Sequence, residues 1–234
     1  MTLRAENISR QFTRETKNTN IFTAVHSVDF ALREGALTVI TGRSGSGKST
    51  FMNMLSGLLV PTEGKIYFGE EELYALSDEK LSKLRNEHFG FVPQGQSGIS
   101  SLTVWENVLL PYTLFGDNQS GKEYAEKLLS LMDIADLKNV YPTELSGGEL
   151  RRMSIARALI RRPQIVFADE PTGDLDDENT AIVLKLFKQI AKEGVSVLLV
   201  THENEAKMYA DVAYRMSGGV LQQEKEVYNT EQKY

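Results

Sequence analysis

The sequence predicts an α/β fold: a largely parallel sheet flanked by helices, an N-terminal antiparallel β-subdomain and an inserted α-helical subdomain. Three observations carry this prediction. Short β-branched apolar runs alternate with longer helical patterns, a glycine-rich loop joins one such run to a helix, and two regions break the alternation.

"LTVIT" (37–41), "FGFVP" (89–93), "IVFAD" (165–169) and "VSVLLV" (195–200) read as strands buried on both faces. Helical patterns fall at about 48–57, 78–86, 121–133, 147–161, 177–192 and 203–209. Strands alternating with helices imply right-handed crossovers. The first 40 residues and "GKIYFGEEEL" (64–73) read as antiparallel strands laid against the core. Residues 95–142 hold two amphipathic stretches, "LTVWENVLLPYTLF" and "KEYAEKLLSLMDIADL", which form the insert. The expectation is one domain over 1–234: a core with its β-subdomain from 1–94 and 143–234, and a helical subdomain from 95–142. The polar tail "LQQEKEVYNTEQKY" reads as a short edge strand followed by frayed residues.

Composition excludes several function classes. The 234 residues are 41% apolar, enough for one or two closely joined domains. Lys and Arg total 26 against 32 Asp and Glu, so no basic excess exists to neutralise nucleic-acid phosphates. The absence of cysteine removes disulfides and thiolate metal sites, in keeping with a reducing compartment. "MTLRAENISRQFTRE" lacks the apolar stretch of a signal peptide, and no apolar run approaches the ~18 residues of a membrane span.

"GRSGSGKST" (42–50) matches G-x-x-x-x-G-K-[ST] at Gly42, Gly47, Lys48 and Ser49, between a strand and a helix. Backbone N–H groups from Gly42, Arg43, Ser44, Gly45, Ser46 and Gly47 would converge on β- and γ-phosphate oxygens, where Lys48 adds charge. Ser49 is expected to ligate Mg²⁺ and Thr50 to approach the α-phosphate. "QIVFADEP" (164–171) delivers Asp169 to a strand's carboxyl end, where α/β sheets bind ligands. Asp169 would hold Mg²⁺, and Glu170 would polarise an attacking water; a helix-capping turn is the alternative for the pair. "VSVLLVTHE" presents His202 at the same edge, to contact the γ-phosphate or the water. "FGFVPQ" ends in Gln94, a neutral group able to ligate Mg²⁺ and touch the water. With only His26, His88 and His202 in the chain, a histidine metal cluster is not expected.

"LSGGELRRMSIARAL" (145–159) opens a helix, and Ser146 with Glu149 fits a capping box. Two glycines at a helix N-terminus also suit an anion site, so the stretch reads either as a plain start or as half of a phosphate site.

Together these residues resemble the ATP-binding cassette family, the nucleotide-hydrolysing subunits of ABC transporters. "GRSGSGKST" is similar to Walker A, "IVFADE" to Walker B, "FVPQ" to the Q-loop, "LSGGE" to the signature motif, "GDLD" to the D-loop and "VTHE" to the H-loop, in the family's order and spacing over nearly the whole chain. The resemblance implies ATP and Mg²⁺ as ligands, and cassettes paired head to tail. In such pairs Leu145, Ser146, Gly147, Gly148 and Glu149 face the partner's ATP, and Asp174 and Asp176 lie at the interface. Helix capping is the alternative for both aspartates. The resemblance also places an aromatic on adenine: Phe12 in "ISRQF", with Phe22 second, a core position being the alternative for either.

Further implications are an integral-membrane permease as partner, no nucleic acid, and a cytoplasmic location peripheral on the inner face of the cell membrane. The insert would meet the permease, with Trp105 either in a docking patch or in the insert's own core. "LTVWENVLLP", "IARALI" and "ADEPTGDLD" resemble the lipoprotein-exporter, macrolide-exporter and bacitracin-type peptide-resistance subgroup. Two departures stand out: Glu149 replaces the usual Gln, and "LRRM" replaces a run containing Gln and Arg. A carboxylate near a triphosphate weakens ATP-driven pairing unless its own helix cap holds it. The leading expectation is an ATPase subunit driving a separate permease. The alternatives are a mechanical switch on a membrane protein and, more distantly, a soluble ABC ATPase of DNA repair or translation.

Overall fold

The computed structural model describes residues 2–14, 20–95, 98–114, 121–173 and 175–224, together with the backbone but not the side chains of Arg14 and Asn20. Strands β1 (Leu3–Arg14) and β2 (Asn20–Ala31) pair antiparallel, and β1 also pairs with β4 (Glu63–Phe68). With β5 (Glu71–Glu72) they form a four-stranded sheet in the order β2-β1-β4-β5. Register shifts along β1 and the positive φ of Asn7 (51°) mark bulges that increase local twist.

The second sheet has six strands in the order β10-β9-β3-β8-β7-β6. Its members are β3 (Leu37–Thr41), β6 (Phe89–Val92), β7 (Ile165–Asp169), β8 (Ser196–Thr201), β9 (Val212–Ser217) and β10 (Val220–Gln223). All neighbours are parallel except β9 and β10. The strand period of two shows directly in its packing. Val39, Val166, Ala168, Val197 and Leu199 face one hydrophobic cluster, while Ile40, Ile165, Phe167, Leu198 and Val200 face the other. Both faces being covered explains why these strands read as unbroken apolar runs.

One cluster packs α1 (Lys48–Leu55) between the two sheets through Phe51, Met52, Met54 and Leu55. The other holds α5 (Gly147–Leu159) and α6 (Asp177–Lys192) against the six-stranded sheet. That cluster runs on without a break into α3 (Val104–Thr113) and α4 (Lys122–Leu131) of the insert. Trp105 packs half-buried against it, so the insert's core takes this ring, while Ile99 and Leu114 remain exposed. Helix α2 (Asp78–His88) closes the edge beside β6. The stretch Asn204–Tyr209 forms a 3₁₀ helix where an α-helix was expected. Tail residues 225–234 lie outside the described residues, and no described helix is long and apolar enough to cross a membrane.

The topology fixes the site. β3, β8 and β7 are adjacent and parallel, with Thr41 opposite Thr201 and Asp169 opposite Val200. Residues 42–50, 169–170 and 202 therefore leave the sheet at one edge, where open parallel sheets bind ligands.

Candidate functional site

The loop after β3 is held on both sides. A Cβ on Gly42 would meet the Met216 carbonyl oxygen at 2.2 Å, and one on Gly47 the Ala24 carbonyl oxygen at 2.3 Å. Gly47 also has φ 104°, a region costly for any side chain. The loop is thus wedged between β9 of one sheet and β2 of the other. Gly42 N–H donates to the Thr201 carbonyl (3.2 Å) and Gly219 N–H to that of Ser46 (3.0 Å).

Helix α1 starts at Gly47 without a side-chain cap and without an acidic residue in its first turn. Its leading N–H groups, with the helix dipole, suit an anion. The Ser46 hydroxyl is buried without a hydrogen-bond partner and adds another polar group there. Lys48, 5% exposed, donates to the carbonyls of Gly42 (2.8 Å) and Arg43 (3.2 Å), and its Nζ lies 3.4 Å from Glu170 Oε1.

Ser49 Oγ donates to Asp169 Oδ1 at 3.0 Å. Burial pushes the Asp169 carboxyl up, the Ser49 hydroxyl opposes this and the neighbouring Glu170 charge reinforces it. Two hard oxygen donors, one of them a carboxylate poorly compensated for burial, fit Mg²⁺, which binds through one or two protein oxygens plus phosphates and waters. Among the described residues no cluster of three or more acidic or imidazole groups competes for it.

Glu170 is buried and sits at φ 44°, outside the strand region. Such strain persists only where surroundings enforce it; here its N–H donates to the Val200 carbonyl (2.8 Å). Its Oε2 accepts from His202 N–H (3.0 Å) and lies 2.8 Å from His202 Nδ1. Behind them the fully buried Thr172 donates its hydroxyl to Glu203 Oε2 (2.6 Å), fixing the turn that carries His202.

Two cavities meet at this loop. One, about 860 Å³, is lined by residues 41–46, Gln94, Glu170 and His202, and by Asn204 and Arg215, which sequence reading had not selected. Arg215 reaches it because β9 pairs in register with β3, Thr41 opposite Arg215, a relationship no local pattern announces. The other, about 240 Å³, joins Lys48, Ser49 and Thr50 to both Phe12 and Phe22. These phenylalanines are direct cross-strand partners, so they flank the cavity together. Gln94 borders both cavities.

The remaining predicted residues lie elsewhere. Residues 145–149 line neither cavity. Ser146 and Glu149 form the capping box: Glu149 Oε2 accepts from Ser146 N–H (2.7 Å) and hydroxyl (2.8 Å), and Glu149 N–H reaches Ser146 Oγ (3.4 Å). The Ser146 N–H, then its hydroxyl, hold the Glu149 carboxyl below its usual range. Gly148 is buried against α6, where a Cβ would come within 2.7 Å of Asn179 Oδ1. Gly147 is exposed. Asp176 caps α6, accepting from Asn179 N–H at 2.8 Å. Asp174 lies outside the described residues.

A family model described as "ABC transporter" matches residues 25–173. The lipoprotein-releasing system ATP-binding protein LolD of Bdellovibrio bacteriovorus is 38% identical over 222 residues, covering 94% of this chain and all of that protein. The macrolide export ATP-binding/permease protein MacB of Chlorobaculum tepidum is 36% identical over 85% of this chain but only 30% of its own length. Among solved structures, the dimeric MJ0796 bacterial ABC transporter cassette superposes with TM-score 0.86 at 31% identity, over 96% of this chain and 98% of that one. A second MJ0796 structure is a post-hydrolysis dimer bound to ADP and Pi. The chain belongs to the ABC transporter family, as an ATP-binding cassette.

Proposed function

We propose that this cassette hydrolyses ATP as one of a head-to-tail pair and drives a separate membrane permease of the lipoprotein- or macrolide-exporter kind. The observation that carries the reading is the separation of two half-sites. Lys48, Ser49, Asp169, Glu170, Gln94 and His202 converge at one sheet edge, whereas the turn at Ser146–Gly148 lies outside both cavities there. Beside that turn, among the described residues, lies only the Arg152 guanidinium, engaged with Asn179. No lysine or metal-binding acid of the Lys48–Asp169 kind joins it, so the turn suits a phosphate already held by another chain's loop. That the similar MJ0796 cassette has been solved as a dimer, once with ADP and Pi, supports pairing.

In this reading Phe12 and Phe22 flank the base and the 42–50 loop takes the phosphates. Lys48 exchanges the Gly42 and Arg43 carbonyls and Glu170 for phosphate oxygens. Ser49, Asp169 and Gln94 would hold Mg²⁺, which when bound offsets charge on the β- and γ-phosphates. Glu170, released from Lys48, accepts a hydrogen bond from the attacking water and then its proton. His202 holds that carboxylate and faces the γ-phosphate. The D-loop, with Asp174 and Asp176 against the partner, stays part of this reading, with Asp176 capping α6 at the same time.

For the permease, the surface offers more than the insert. A groove of about 360 Å³ beside α2 is lined by Leu58, Phe89 and Phe91, with Arg85 and Asn86 at its polar end. The Asn86 side-chain nitrogen is buried without a partner there, and Leu58 and Val60 are exposed. A segment of the permease is the occupant proposed, since the groove's apolar lining and the exposed Leu58 and Val60 beside it suit an apolar partner.

The test combines turnover with assembly. The wild-type chain is expected to release phosphate from Mg-ATP, and Glu170→Gln to form an ATP-dependent dimer without turnover, measured by analytical ultracentrifugation. A Glu170→Gln chain that stays monomeric in saturating Mg-ATP contradicts the paired mechanism. Co-purification from membranes of the native host is expected to yield an integral-membrane permease, and Leu58→Glu to reduce its recovery.

A further inference from the structure

Arg151 lies in the second turn of α5, four residues after Gly147, and therefore on the same helix face one turn further on. It is 5% exposed, and its Nη1 donates to the carbonyl oxygen of Pro93 at 2.9 Å. That carbonyl belongs to the same planar peptide unit as the nitrogen and Cα of Gln94. Pro93, whose ring fixes its own φ, precedes this unit, and Gly95, at φ 75°, follows Gln94. A buried guanidinium thus grips the peptide plane that carries Gln94.

The loop leaving Gln94 is tied to the same helix again. Asn107, fully buried in α3, accepts Ile99 N–H on Oδ1 (2.8 Å) and donates Nδ2 to the carbonyls of Ile99 (3.1 Å), Leu102 (2.9 Å) and Thr103 (3.0 Å). Arg157, six residues beyond Arg151 on α5, donates to Asn107 Oδ1 at 3.4 Å. Helix α5 therefore holds the Gln94 loop near both ends. A displacement of the Pro93–Gln94 peptide must carry the Arg151 side chain with it or break its charge-assisted hydrogen bond.

We propose that Arg151 is the positioning residue that transmits the state of Gln94 to the Ser146–Gly148 turn of its own chain. This rests on the reading that Gln94 meets Mg-nucleotide and that the turn acts in trans. The coupling would run through two short links, Arg151 to Pro93 and the rigid first turns of α5.

The experiment uses the full chain in the Glu170→Gln background. Mg-ATP binding is read with a fluorescent ATP analogue at concentrations where the chain is monomeric, and dimerisation by analytical ultracentrifugation. R151M is expected to bind nucleotide within about twofold of its parent yet dimerise about tenfold more weakly, a loss of ~1.4 kcal/mol. R151K, which keeps a donor to Pro93, is expected to recover most of the loss even if R151M folds poorly. In a Q94A background, R151M is expected to weaken dimerisation no further, because the two act in series. Unchanged dimerisation of R151M, or losses that simply add with Q94A, would overturn the proposal. A Glu170→Gln parent that never dimerises instead rejects the paired mechanism, and this inference with it.

Discussion

Glu170 accepts two hydrogen bonds from one residue: His202 offers its backbone N–H at 3.0 Å and its Nδ1 at 2.8 Å to the same carboxylate oxygen. With Glu170 ionised, Nδ1 is the donor and carries the proton. Nε2 is then the ring atom left to face a substrate. The side chain is 56% exposed, so it has room to do so.

His202→Ala removes the Nδ1 contact and keeps the backbone one. The carboxylate stays in place but loses a donor that steadies it and, on the proposed reading, the group facing the γ-phosphate. Turnover is expected to fall by about 10²–10³, with a much smaller change in KM. Steady-state phosphate release measures both, and unchanged kcat would remove His202 from the chemistry.

The Asp169→Asn variant separates stability from function. Burial raises the Asp169 pKa from 3.8. An acid whose folded pKa is raised binds its proton more tightly in the folded chain, so stability falls as pH rises from about 3.8 through the raised value. Asparagine escapes this loss and still accepts from Ser49. Nucleotide-free Asp169→Asn is expected to melt a few degrees higher at pH 7, on the order of 1 kcal/mol, with the gap closing toward pH 4. Mg²⁺-dependent hydrolysis is expected to vanish. Calorimetry against pH checks the first claim, and a lower melting temperature at pH 7 would refute it.

Glu149→Gln tests the capping box. The Ser146 N–H and hydroxyl lower the Glu149 pKa from 4.5, so the carboxylate's contribution is present above 4.5 and lost as pH falls through the lowered value. The amide variant keeps an acceptor but loses the charge, and is expected to cost about 0.5 kcal/mol or less. It also removes an anion bonded to the serine proposed to face the partner's phosphate. ATP-dependent dimerisation in the Glu170→Gln background is expected to strengthen several-fold. An unaltered dimerisation constant would show that the cap already neutralises the departure.

Glycine substitutions in the loop separate crowding from conformation. Gly47→Ala places a Cβ 2.3 Å from the Ala24 carbonyl at φ 104°, whereas at Gly45 (φ 75°) nothing lies within 4 Å. Gly45→Ala is expected to cost about 1 kcal/mol of stability and leave a folded chain. Gly47→Ala is expected to lose several kcal/mol or to displace β2, abolishing nucleotide binding. Thermal melts and nucleotide titrations rank the two, and equal effects would contradict the wedged loop.

The residues proposed to meet phosphate and metal were legible because their signals are local. The loop at 42–50, the acids after "IVFA" and His202 after "VSVLLVT" each follow a run whose unbroken apolarity reports two covered faces. The Ser146–Glu149 cap spans three residues and was equally readable. What escaped depends on distant pairing. Arg151 meets Pro93 across 58 positions, Arg215 enters the cavity only through the register of β9 on β3, and Phe22 stands opposite Phe12 only because of how β1 and β2 align around bulges. Helical and strand periodicities carry no information about such alignments. Asp176 could be read either way from sequence; the structure makes it the cap of α6.

The Lys48–Glu170 contact at 3.4 Å bears on economy of turnover. Two buried opposite charges that later take different partners serve, meanwhile, as each other's counter-ion. If Glu170 is the base of the proposed reaction, a water at the site meets a carboxylate with an ammonium 3.4 Å away rather than a free one. Only a ligand carrying enough negative charge to draw the ammonium off can arm it. ADP lacks the γ-phosphate whose charge would complete that exchange. On the proposed reading the ion pair would act as an interlock, making the reactive state conditional on the presence of the reactant itself.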